Sequence, residues 1–136
     1  MLLKIKDLAK TYVTGGGMFG KKSHVRAVNG VSFSIESGKT FALVGESGCG
    51  KSTIAKMILL LETPSAGSLF FDGVNLLDMS ASELKNYRRQ TQAVFQDPYA
   101  SLNPRHKTRL LISEPVMAHE RHTNRELAMR VEELLD

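Results

Sequence analysis

Apolar and polar positions alternate along two stretches near the start of the chain. Leu2-Leu3-Lys4-Ile5-Lys6-Asp7-Leu8 predicts a first strand, with a loop after Tyr12. Between Val25 and Ile35 a second alternation sets Val31, Phe33 and Ile35 against Ser32, Ser34 and Glu36. After a turn at Glu36-Ser37-Gly38-Lys39, the unbroken apolar run Thr40-Phe41-Ala42-Leu43-Val44 predicts a buried strand. Ser52 to Leu61 has no glycine or proline and predicts a helix, terminated by Thr63-Pro64-Ser65-Ala66-Gly67. Ser68 to Asp72 reads as a strand closed by a turn at Gly73. Ser80 with Glu83 forms a capping box that opens a helix through Arg89, and Thr91-Gln92-Ala93-Val94-Phe95 predicts another strand. Asp97-Pro98 and Asn103-Pro104 break the chain. Arg109 to His119 predicts a helix, and Thr123 with Glu126 caps a last one reaching Asp136. That helix has no terminating glycine, so the chain is expected to end within an element. The order of strands and helices predicts an α/β fold.

Composition adds bounds rather than direction. The chain has 136 residues, enough for one modest core, with 42% apolar and 24% charged residues. Its longest apolar stretch, Met57 to Leu61, is too short to span a bilayer, and its first residues do not read as a signal peptide. The single cysteine, Cys49, excludes an intramolecular disulfide and fits a reducing compartment. The net charge of +4 is scattered, with small clusters at Lys21-Lys22 and Arg88-Arg89. No basic stripe with interleaved aromatics appears, so no nucleic-acid partner is expected. A mild positive charge also suits a protein near anionic lipid head groups.

The chemistry concentrates at Gly45, Glu46, Ser47, Gly48, Cys49, Gly50, Lys51 and Ser52, a complete G-x-x-x-x-G-K-[ST] run with Thr53 following. Its glycines let the backbone curl so that successive N–H groups face phosphate oxygens. Lys51 can then reach the β- and γ-phosphates, the Ser52 hydroxyl can ligate Mg²⁺, and the helix adds the positive end of its dipole. A second match at Gly15–Lys22 carries Lys22 where the hydroxyl belongs and leads into strand-like alternation, so it reads as a basic loop. His119-Glu120-Arg121-His122 lacks the i,i+4 spacing of a helical zinc pair and reads as a solvated helix end. Leu69-Phe70-Phe71-Asp72 is followed by Gly73 rather than an acid, and reads as a strand and turn. Tyr12 is either a half-buried strand residue or an aromatic face for adenine. Gln96, after an apolar run and before a break, is placed where an amide could meet Mg²⁺ or an attacking water.

Taken together the motifs resemble the N-terminal part of an ATP-binding cassette (ABC) ATPase, in the branch that imports oligopeptides, dipeptides and nickel. The resemblance is carried by Ala27 to Thr40 before the phosphate loop, Val44 to Thr53 in it, Thr63 to Gly73 after its helix, and Val94 to Arg105 around Gln96. It covers essentially the whole chain. It implies a P-loop NTPase fold, partial, with a β-rich N-terminal subdomain and the start of a helical subdomain. Residues 1–136 would be the N-terminal part of a single nucleotide-binding domain. Gly45 to Thr53 would bind the phosphates of ATP, Ser52 and Gln96 would attend Mg²⁺, and Tyr12 would stack on adenine. Gln96 is the implied catalytic residue. The segment after Gln96 would contact permease subunits, a second ATPase subunit would complete the site, and the protein would sit in the cytoplasm on the inner face of the cell membrane. The family's L-S-G-G-Q signature, its apolar strand ending in Asp-Glu and its switch histidine have no counterpart among these residues. The resemblance therefore implies about the first half of such a domain, expected to bind ATP without turning it over. The rival readings are a P-loop ATPase outside transport and a non-enzymatic fragment that binds nucleotide or a partner.

Overall fold

The computed structural model describes every residue except 16–20, 98, 100, 101, 120, 121 and 136, and His119 by its backbone alone. Much of the second glycine–lysine run and the middle of the His-Glu-Arg-His run lie outside the described residues. The chain forms two compact units, Met1–Leu84 and Lys85–Asp136.

The first unit is built on a four-stranded antiparallel sheet in the order β2-β1-β3-β4. Its strands are β1 (Leu3–Thr14), β2 (Ser23–Ile35), β3 (Ala66–Phe71) and β4 (Val74–Asn75). Strand β1 is central, pairing with β2 on one edge and β3 on the other. Leu3 and Ile5 are buried on one face, as period-two alternation requires. Leu8 is buried too, although it lies three residues after Ile5. A bulge resolves the mismatch. Asp7 adopts φ 48°, the register shifts between Ile5 and Leu8, and the Asp7 N–H donates to Ser32 Oγ at 2.8 Å. The extra residue returns Leu8 to the core face. Gly67 lies against this bulge: its φ is 88°, and a Cβ there would stand 2.4 Å from the Asp7 carbonyl oxygen. Fully buried Ile5, Leu8 and Leu69, with Met57 of the helix α1 (Lys51–Ile58), form the centre of the core. Each such side chain contributes about 1.5–3 kcal/mol by leaving water.

Helix α1 ends earlier than the composition of residues 52–61 predicts. Leu60 turns left-handed (φ 55°), and the N–H groups of Leu61 and Glu62 both reach back to the Lys56 carbonyl, at 2.8 and 3.3 Å. This closes the helix in the manner of a glycine C-cap, with leucine in the glycine's place. Strand β1 also runs to Thr14, so Tyr12 lies inside a strand and no loop follows it directly.

Two predicted strands are absent. Residues 40–44 and 91–95 carry no strand pairing. A strand exists through its ladder, and the described residues offer neither run a partner. Phe41 makes one stacked contact with Phe33 of β2, centroids 4.7 Å apart, which fixes the run without hydrogen-bonding it. Val44 and Val94 stand 89% and 92% exposed.

After a short 3-10 turn at Leu76–Asp78 comes helix α2 (Ala81–Gln90), which crosses the division between the units. Its predicted capping box is formed: Glu83 Oε2 accepts from the Ser80 N–H at 2.8 Å and from the Ser80 hydroxyl at 2.6 Å. The second unit holds α3 (Thr108–His119) and α4 (Asn124–Leu135). Leu127 and Val131, one turn apart, are buried. The Thr123–Glu126 capping box opens α4, and Arg109 Nη2 donates to the Asn124 carbonyl at 3.1 Å, tying the two helix starts together.

Candidate functional site

The run Gly45–Ser52 forms a loop closing on the first turn of α1. Gly50 is the N-cap, with φ 97°, and Gly48 has φ 80°. Both conformations favour glycine. Gly50 has a second constraint, since a Cβ would lie 2.3 Å from the Ala27 carbonyl oxygen and 3.2 Å from Val28 Cγ2. The seat is itself a bulge. The β1–β2 register passes from Lys10↔Val28 to Thr11↔Arg26, skipping Ala27, and the skipped residue presents its carbonyl to the loop. At Gly45 a Cβ would approach Cys49 Sγ to 2.7 Å, so the loop closes on itself there.

The start of α1 is bare of protein partners suited to its dipole. No side chain caps it and no acid lies in its first turn. Its first intrahelical bond is Ile54 N–H to the Gly50 carbonyl at 2.9 Å. The N–H groups of Lys51, Ser52 and Thr53 thus precede the ladder and are left for an anion. Lys51 arches back over the loop, its ammonium donating to the carbonyls of Gly45 (2.7 Å) and Glu46 (2.6 Å), with Cys49 Sγ at 3.5 Å. One cation and a helix start without a side-chain cap converge on a loop that glycine alone lets close on itself at Gly45 and seat on β2 at Gly50. This fits a polyphosphate. Gly45, Glu46, Ser47, Gly48 and Cys49 are exposed, as is Ser52. The hydroxyl of Ser52 is a hard oxygen at the helix start. It fits Mg²⁺, which takes few protein ligands and completes its shell with phosphate and water. Among the described residues no cluster of three or more histidine, cysteine or acidic side chains offers an all-protein metal cage.

Tyr12 pairs with Val25 on β2, close along the ladder to the bulge that seats Gly50. It is half-buried, and the Lys10 ammonium stands 5.1 Å from its ring centroid. Lys10 also bonds Glu62 Oε2 at 2.9 Å and the Thr63 carbonyl at 2.7 Å. The Lys10 hydrogen bond holds the Glu62 carboxyl below its ordinary pKa, with smaller help from Lys56 and the Tyr12 hydroxyl and some opposition from desolvation. The Lys10–Glu62 pair was not visible in sequence, the two residues being far apart in the chain. The same-face spacing of Lys10 and Tyr12 on a strand was the one available signal. Gln96 belongs to the second unit, exposed in a bend with no strand before it. Its predicted place at a strand end is therefore corrected: residues 91–95 have no ladder partner.

A glycine-rich loop closing on an uncapped, acid-free helix start, with a lysine folded over it, is the arrangement of a phosphate loop. Residues 28–136 match the ABC transporter family model, and the chain belongs to that family. It is 44% identical over 136 residues to the oligopeptide transport ATP-binding protein AppF of Bacillus subtilis, covering 98% of this chain and 41% of that protein. It is 42% identical over 115 residues to the nickel import ATP-binding protein NikE of Shigella dysenteriae, covering 85% of this chain and 42% of that protein. A dimeric bacterial ABC transporter cassette superposes with a TM-score of 0.76 at 27% identity, over 95% of this chain and 53% of its own. A similar dimer in a post-hydrolysis state, bound to ADP and Pi, gives 0.75 at 27% identity, over 97% and 55%. The chain spans about two fifths of the length of the curated relatives it matches. No described helix is long and apolar enough to cross a membrane.

Proposed function

We propose that residues 1–136 are the N-terminal part of a single ATP-binding domain that couples ATP hydrolysis to import of peptides, or of nickel, through a membrane permease. The observation that carries this is the uncapped, acid-free start of α1 facing the Lys51 ammonium across the glycine cradle. Gly45 to Thr53 hold the phosphates. Lys51 exchanges its carbonyl partners for the more strongly accepting β- and γ-oxygens. Ser52 and Gln96 attend Mg²⁺, which when bound neutralises charge building between those phosphates. Gln96 orients the attacking water, and Tyr12 stacks on adenine. The chain beyond Gln96 meets the permease, a second ATPase subunit faces the loop, and the protein works in the cytoplasm on the inner face of the membrane. The names of its relatives support the transport reading.

For these 136 residues taken alone, nucleotide binding without turnover is the second reading. They contain no L-S-G-G-Q run and no apolar strand ending in Asp-Glu to activate water. One calorimetric series tests the binding site. ATP affinity is expected to rise when Mg²⁺ is added to the wild-type chain and to gain little from Mg²⁺ in Ser52→Ala. An equal Mg²⁺ response in both proteins would contradict the role of Ser52.

A further inference from the structure

We infer that Lys10 is a positioning residue for the nucleotide base: its ammonium covers one face of the Tyr12 ring and, anchored by Glu62 and Thr63, sets the ring so that its other face is offered to adenine. The inference rests on the adenine-stacking reading of Tyr12. Lysine on a strand ordinarily extends into solvent, but the Lys10 side chain is only 14% exposed. Its ammonium has three partners at once, the Tyr12 ring at 5.1 Å, Glu62 Oε2 at 2.9 Å and the Thr63 carbonyl at 2.7 Å. Two of these belong to the segment that follows α1, and the third is an aromatic ring two residues along β1. A cation over a ring is attracted by its quadrupole, and here the cation cannot swing away because the carboxylate and carbonyl hold it. Carboxylate and carbonyl thus anchor the cation, and the cation in turn lies over the ring.

The position is the right one. Lys10 pairs with Val28, and Val28 with the bulged Ala27 forms the seat of Gly50 in the phosphate loop. Tyr12 lies two residues farther along β1, opposite Val25, on the strand pair whose bulge seats Gly50, and the inference sets the base there when its phosphates occupy the loop. The two bonds to Glu62 and Thr63 tie the exit of α1 to β1. A merely structural tether would therefore act on the phosphate end and the base end alike, and this separates the two roles.

The test compares binding of ATP with binding of inorganic triphosphate, both with Mg²⁺, in the wild-type chain, Lys10→Met, Lys10→Arg and Tyr12→Ala. Wild type is expected to prefer ATP, and Tyr12→Ala to lose most of that preference. Lys10→Met is expected to weaken ATP by about three- to fivefold and leave triphosphate unchanged, with Lys10→Arg restoring ATP binding through its own cation over the ring. An equal loss for both ligands in Lys10→Met, or no loss for either, would overturn the positioning role. An unchanged preference in Tyr12→Ala would instead remove the adenine reading itself. If Lys10→Met fails to fold, Glu62→Gln, which loosens the anchor and keeps the cation, is read in the same way. It is expected to lower ATP binding selectively, and a parallel loss of both ligands contradicts the inference.

Discussion

The phosphate loop and the segment around Gln96 are both motif-bearing stretches after an apolar run, yet only one of them is built. Gly45–Ser52 is held from three sides: Gly50 against Ala27 and Val28, Gly45 against Cys49, and Lys51 folded onto two loop carbonyls. All of these partners lie in the same unit, and most lie within the loop itself. Gln96 sits exposed in a bend, after a run whose Val94 is 92% exposed and which pairs with nothing described. An anion site made of backbone N–H groups and a helix end can form from a few dozen residues. A side chain presented at a strand end needs the sheet that holds the strand. Of these two regions the loop should accordingly carry most of the ATP affinity, Gln96 adding little to binding beside its proposed work on Mg²⁺ and the attacking water.

The sharpest way to break this contrast is Gly50→Val. The new Cβ would meet backbone at Ala27, and a β-branched residue at φ 97° is strained. We expect a loss of at least about 2 kcal/mol of stability in the first unit and no measurable ATP binding. Denaturant unfolding with an ATP titration reads both, and wild-type behaviour would mean that the loop is not seated on β2. At the other end of the scale, Gln96→Ala is expected to leave ATP affinity within about 0.5 kcal/mol of wild type, as for an exposed substitution. A larger loss in the same titration would show that Gln96 carries binding energy as the loop does and would erase the distinction.

The same contrast explains what could be read from sequence. β1 and β2 are legible because their alternation matches a half-buried sheet, and β3 because a turn at Gly73 closes its apolar run. The capping boxes at Ser80 and Thr123 were legible because all their parts lie within four residues. The phosphate loop was legible for a similar reason, its chemistry being local. Residues 40–44 and 91–95 depart from the expectation because apolarity states only that a strand would be buried, not that a partner is present. The Asp7 bulge and the skipped Ala27 escaped notice because each depends on cross-strand contacts, to Ser32 and Gly67 in one case and to Gly50 in the other. The early end of α1 at Leu60 belongs with them. A left-handed leucine is not a residue-level signal, and it precedes the segment that Lys10 ties to β1. Pro115 inside α3 is a reminder that a proline need not end a helix when its position is otherwise supported.

The central claim is that the cradle at the start of α1 is where this chain meets ATP, with Lys51 as its cation. Calorimetric titration of Mg-ATP into wild type and Lys51→Ala, with matched thermal unfolding to confirm the fold, tests it most directly. Removing a charge-assisted donor to the phosphates is expected to weaken binding about ten- to hundredfold while the fold survives. Equal affinity in the two proteins would contradict the account.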